Sequence, residues 1–224
     1  MKNKLFLIGL LSVLLSLIAC QVSVVSDVQE PRWFNVEVFE NTSTIGMTVY
    51  DFEFEKQFLD IENNAIKLTN CIDVLAFGSH NISERSFTNW DLLKTNCEAV
   101  NRYYKAPNSA LSYWPSKWDY SLLATFASDV IPYIGGDNLV SDNKRLSDTN
   151  IELIDSGKYN IKVSYDNMII EYNLLAKADF NLDGNQDLFI RMDWYIEGAH
   201  GEGNDWIVVS KLSTQSLPIT LWRK

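Results

Sequence analysis

Histidine is scarce: the 224 residues contain two, His80 and His200, far apart in the chain. That excludes the paired histidines of a zinc-hydrolase helix. There is no Gly-x-Ser-x-Gly and no glycine-rich loop ending in Gly-Lys-Ser/Thr, so a serine hydrolase and a phosphate-loop nucleotide enzyme both lack their signature. Cysteine is limited to Cys20, Cys71 and Cys97, which gives a thiol hydrolase no clear nucleophile. Positive charge is short as well, with 19 Lys and Arg against 29 Asp and Glu. A surface so acidic is a poor match for nucleic acid or anionic lipid, and suits divalent cations better. No internal repeat and no low-complexity stretch is present, which removes propellers and solenoids.

What is present begins at the N-terminus. Lys2 and Lys4 precede an apolar run from Leu5 to Ile18, broken by Gly9, Ser12 and Ser16. A basic start, a short apolar segment and a small residue before the cut are the marks of a secretory signal. The run falls short of the roughly 20 residues that span a bilayer, which weighs against an uncleaved anchor. The segment Leu17-Ile18-Ala19-Cys20 resembles a bacterial lipobox. The resemblance implies a signal peptide over 1–19, cleavage before Cys20, and acyl chains such as palmitate on that residue. Several chains on one residue anchor durably where a single chain holds only marginally. Gram-negative lipoproteins kept at the inner membrane usually carry Asp after the cysteine. Here the position is Gln21, so the resemblance favours the outer membrane, facing the periplasm, with the cell surface as the alternative.

Without Lys2 and Lys4 the chain has 17 basic and 29 acidic side chains, a formal charge of −12. Once Cys20 is lipidated, Cys71 and Cys97 form an even pair in an oxidising compartment and read as a disulfide; the other reading is two separate buried thiols. Residues 20–30 read as a lipidated tether, with a reach on the order of 15–20 Å if flexible. Residues 31–224 form one globular domain, with a sub-boundary in the turn-rich stretch 135–150.

Alternation from Trp33 to Glu40 and from Thr44 to Glu55 predicts two strands. Trp90, Leu93, Cys97, Val100 and Tyr104 lie three and four apart, so they form the buried stripe of a helix that Thr88 and Asp91 open. Ser116 and Asp119 start a second helix, with Leu122, Phe126 and Val130 inside and Pro132 at its end. From Lys158 the period returns to two, predicting strands at 159–165, 168–178, 187–196, 206–212 and 219–222. The fold class is α+β: a C-terminal antiparallel meander with about two helices packed on it.

The most chemical stretch is Asp179-Phe180-Asn181-Leu182-Asp183-Gly184-Asn185-Gln186-Asp187. Oxygen side chains stand at positions 1, 3, 5 and 9, and glycine at 6. Calcium takes six to eight oxygens, and clustered carboxylates supply them. Asp179, Asn181, Asp183, the Asn185 carbonyl and Asp187 are the candidate ligands. The run resembles the short loops of EF-hand-like and FG-GAP-repeat proteins. Ile190 stands where an EF-hand needs its bidentate glutamate, and the flanks look like strands, so the likeness is to the FG-GAP style. It implies a structural calcium held with a Kd on the order of 10⁻⁴–10⁻³ M. The competing reading is a hairpin turn, for which Asp183-Gly184 is a favoured dipeptide, although a turn alone leaves Asp179 and Asp187 unexplained.

Glu197, His200 and Glu202 form the other local cluster, able in principle to hold a transition metal or supply a general base. The alternative is a flexible hairpin loop. His80 reads as a turn residue. Tyr103, Tyr104, Tyr113, Trp114, Trp118 and Tyr120 beside Arg102, Lys105 and Lys117 form either an exposed platform or part of the core; Trp118 shares a stripe with Leu122 and Phe126, which favours the core. The functional expectation is a lipid-anchored, non-catalytic envelope protein with a structural calcium that binds another envelope or secreted component, a protein or a glycan. The alternatives are a periplasmic hydrolase of glycans or peptides using Glu197 and His200, and a purely structural accessory lipoprotein. Beyond the lipobox and the loop the chain resembles small bacterial lipoproteins with a single Asp-Gly calcium-type loop, and that resemblance brings no activity with it.

Overall fold

The structure is a computed structural model that describes residues 27–34, 53–133 and 144–224. The signal peptide, Cys20, most of the two N-terminal strands predicted before residue 53, and residues 135–143 of the proposed sub-boundary lie outside the described residues. Among the described residues no helix is long and apolar enough to cross a membrane.

The alternating C-terminal half forms the sheet it predicts. Strands β6 (Glu152–Ser156), β7 (Asn160–Tyr165), β8 (Met168–Ala178), β9 (Asp187–Ile196), β10 (Glu202–Ser210) and β11 (Ile219–Arg223) lie side by side in chain order, each antiparallel to the next. The fold is α+β with a C-terminal meander. A short N-terminal strand, β2 (Arg32–Trp33), pairs with β8 at Lys177 and Ala176, beyond the reach of β7. β6 was not expected: all five of its residues are exposed, so it carries no apolar/polar alternation to betray it. β10 starts four residues earlier than the pattern suggested and ends at Ser210, where Ser213 and Ser216 close a turn on each other.

Period-two patterning gives the sheet two apolar faces. Ile170, Tyr172, Ile190 and Ile207 look toward a cover drawn from residues 114–131 and 146–151, including Trp114, Trp118, Phe126 and Leu146. Phe189, Trp206, Val208 and Leu175 look the other way, toward Ala99 of a long helix. A bulge between Leu174 and Ala176 lets the neighbours Leu175 and Ala176 serve the same core, while Leu174 faces the other.

That helix, α2 (Glu84–Lys105), is the one predicted from the stripe at Trp90, Leu93, Cys97 and Val100, all buried. It starts four residues before Thr88, with Ser83 in the N-cap position. The hairpin β3 (Glu53–Leu59) and β4 (Ala65–Asn70) and the short helix α1 (Cys71–Ala76) pack on it. Asn70 caps α1 by accepting from the Asp73 N–H at 2.9 Å. Cys71 and Cys97 form a disulfide, with Cα atoms 5.1 Å apart, inside this third core.

The second predicted helix is corrected to a single turn, α3 (Tyr120–Leu123), capped by Asp119, which accepts from the Leu122 N–H at 3.1 Å. Phe126 and Val130 are buried, but from an irregular segment. The carbonyls of Ala124 and Phe126 accept from Ser147 and Leu146, 3.0 and 2.9 Å, and the Ser128 N–H goes to Lys144. Partners brought from elsewhere in the chain took hydrogen bonds a longer helix would have used. The aromatic stretch is largely core: Trp114 and Trp118 are buried, and Tyr120 donates to the Ile151 carbonyl at 3.0 Å.

Residues 27–29, read as tether, form a strand instead. β1 (Asp27–Gln29) pairs with β5 (Ala110–Ser112), so at most residues 21–26 separate Cys20 from the folded body.

Candidate functional site

The 179–187 loop joins the two central strands. β8 ends at Ala178, opposite Asp187, the first residue of β9. To reverse within this span the chain puts Leu182 at φ 65° and Gly184 at φ 84°. Glycine adopts that conformation at no steric cost, and Leu182 is held there by its neighbours.

Those neighbours are the acidic side chains. Asp179, 2% exposed, accepts from Asp183 N–H through Oδ1 at 3.1 Å and from Gly184 N–H through Oδ2 at 2.8 Å. Asn181 Oδ1 also accepts from Asp183 N–H, at 3.2 Å, and its Nδ2 donates to Asp183 Oδ2 at 2.9 Å. Asp183 Oδ1 accepts from Asn185 N–H at 2.8 Å. Asp187, fully buried, accepts from Phe180 N–H through Oδ2 at 3.0 Å. The expectation that a plain turn leaves Asp179 and Asp187 unexplained is therefore corrected: both tie the loop's backbone.

One atom is left over. Asp187 Oδ1 is buried and has no hydrogen-bond partner. Ser210 stands close enough to favour the charged carboxylate, yet its Oγ is also without a partner. Burial pushes the Asp187 carboxyl up to about 6; Ser210 and the Phe180 N–H pull it back, and Asp183 and Asp179 push it further. Desolvation is the leading cause and carboxylate repulsion adds to it.

The donor types here, carboxylate and amide oxygens, are those a divalent cation takes. An ionised carboxylate offers about four lone-pair sites, so Asp179 and Asp183 can hold their backbone N–H groups and still ligate. A cation would reverse the repulsion that Asp187 feels. Among the described residues no three His, Cys, Asp or Glu side chains converge into a ready-made metal cage. Calcium, which tolerates carbonyl, amide and water oxygens, suits such an arrangement better than zinc.

The loop is also docked. Leu111 N–H donates to the Gly184 carbonyl at 2.9 Å and the Leu111 carbonyl accepts from Gln186 N–H at 2.8 Å. Gln186 accepts from Ser112 Oγ at 2.9 Å, its carbonyl accepts from Trp114 Nε1, and its Nε2 donates to the Glu30 carbonyl at 3.3 Å. Gln186 thus joins loop, β5 and N-terminal segment. Sequence reasoning missed it, since a lone glutamine between candidate ligands carries no signal of its own.

The other candidates are not gathered. Glu197 and His200 are exposed on the β9–β10 turn, closed by Ile196 N–H to the Gly201 carbonyl at 2.8 Å with Gly198 at φ 75°. Glu202 is exposed at the start of β10. His80 sits on a single exposed 3₁₀ turn, Ser79–Asn81.

No protein-family model, curated protein or solved structure matches this chain.

Proposed function

We propose that the chain is a lipid-anchored envelope protein, non-catalytic, whose 179–187 loop takes a structural calcium and whose folded body binds another envelope or secreted protein. The observation that carries the calcium reading is the buried, partnerless Oδ1 of Asp187 in a loop that also holds Asp179 and Asp183. The lipid anchor rests on the lipobox at 17–20. A protein partner is supported by β6, an edge strand exposed along its length, with Leu153 and Ile154 47% and 49% accessible. Such an edge accepts an extended segment by strand addition. The exposed turn that carries Glu197 and His200 supplies no enclosed site in which an acid and a base would act together, so nothing favours the hydrolase reading.

The test is thermal melting in EDTA against a calcium titration, with magnesium as control. A concentration-dependent rise in melting temperature with calcium alone is expected, and Asp183→Ala should abolish it. Equal shifts in Asp183→Ala and wild type would sink the proposal.

A further inference from the structure

Arg32 of β2 and Lys177 of β8 are direct cross-strand partners. Side chains so placed have Cβ atoms roughly 4.5–5.5 Å apart, and like charges there are destabilising. In a chain with ten more acidic than basic side chains, a carboxylate between them would be the ordinary remedy. It is used elsewhere: Arg191 meets Asp193 at 2.6 Å, Lys224 meets Asp91 at 2.5 Å, and Lys117 meets Asp119 at 3.3 Å. Among the described residues neither Arg32 nor Lys177 has an acidic partner within ion-pair distance. Arg32 is exposed and Lys177 half-buried. Desolvation and then Arg32 bring the Lys177 ammonium down to about 8, and no carboxylate counters them.

We infer that Arg32 and Lys177 together bind a phosphate group. A planar guanidinium donates two parallel N–H bonds to one oxyanion, and an ammonium adds a compact point charge beside it. The anion would turn a repulsive pair into a three-centre ion cluster and restore the full charge of Lys177. The site also lies where phosphate is plentiful if the chain is lipidated. Residues 21–26 alone separate Cys20 from β1, a span of at most about 25 Å fully extended, and Arg32 follows β1 by three residues. A phospholipid headgroup and soluble phosphate share the recognised chemistry. The headgroup source rests on the lipid anchor proposed above; phosphate binding itself does not.

The experiment follows acetylation of individual lysines by an N-hydroxysuccinimide ester, using the full chain in neutral-detergent micelles and peptide mass spectrometry. In one arm inorganic phosphate replaces chloride at matched ionic strength; in the other, phosphatidylglycerol is added to the micelle. Lys177 should slow severalfold relative to the exposed Lys105 and Lys117, and the melting temperature should rise. Arg32→Gln should lose both effects while keeping its circular dichroism spectrum. Protection by inorganic phosphate alone assigns a soluble ligand; protection by the lipid, with or without free phosphate, assigns the headgroup. Unchanged Lys177 labelling and melting in both arms would overturn the inference, as would equal protection of Lys105 and Lys117 or protection that survives in Arg32→Gln. Loss of the anchor would show in membrane fractionation and leave the phosphate arm intact.

Discussion

At the scale of single residues, Asp187 concentrates the chemistry of the protein. Its carboxyl titrates at about 6 in the folded chain and near the ordinary value of 3.8 when unfolded. The folded state therefore prefers the protonated form. Below about 4 both states are protonated and Asp187 costs nothing; between about 4 and 6 the unfolded chain ionises while the folded one stays protonated, so stability falls, and above 6 the loss is complete. A carboxyl raised that far costs roughly 3 kcal/mol of stability once fully ionised. Melting in EDTA should accordingly fall between pH 4 and 7, and calcium should offset that fall. Asp193 and Asp205 are also raised by burial and tilt the curve the same way, so the control is Asp187→Asn. It should flatten the calcium-free pH dependence and be more stable than wild type at pH 7, while gaining less from calcium. Identical pH slopes for the two proteins would show that Asp187 is not the source. The loop was legible because its spacing is local. Gln186 and Ser210 were not, since the residues they stand beside, Ser112 and Asp187, lie 74 and 23 positions away.

At the scale of elements, what could be read depended on whether one face was buried. β7 to β11 were legible because each packs at least one apolar face on a core, and most of their ends follow from that pattern. α2 showed its stripe for the same reason. β6 was invisible because it buries neither face. α3 misled because Leu122, Phe126 and Val130 keep helical spacing although the chain between them bonds to residues 144–147. The disulfide ties α1 to α2 across a sequence separation of 26 and closes the cluster that includes Phe58, Val74 and Trp90. By loop-closure entropy such a link stabilises by about 3 kcal/mol. The double variant Cys71→Ala, Cys97→Ala should unfold at lower denaturant concentration by that amount and lose its response to reducing agent. Unchanged midpoints in the variant, or in wild type with dithiothreitol, would mean that apolar packing alone holds this hairpin and helix pair together.

At the scale of the whole molecule, the N-terminal segment determines how the body sits. β1 on β5, β5 on the 184–186 stretch and Gln186 on the Glu30 carbonyl fasten residues 27–30 to the acidic loop. If Cys20 carries lipid, the loop and the Arg32–Lys177 pair are held within a short leash of the headgroups. Any other attachment to the bilayer has to overcome the acidity of the chain. A formal charge of −12 on the mature protein repels anionic lipid, and two cations at the tether base contribute contacts that salt screens over roughly 10 Å at 0.1 M. On the lipobox reading, retention on membranes through a salt wash would belong to the acyl chains. On that reading wild type should stay in the membrane fraction after high salt and leave only with detergent, while Cys20→Ser should appear in the soluble fraction with its melting curve unchanged, since Cys20 precedes β1, the first described element. Should Cys20→Ser remain on salt-washed membranes, the lipobox reading would fail, and the attachment would have to come from the apolar run 5–18 left uncleaved or from a bound partner protein.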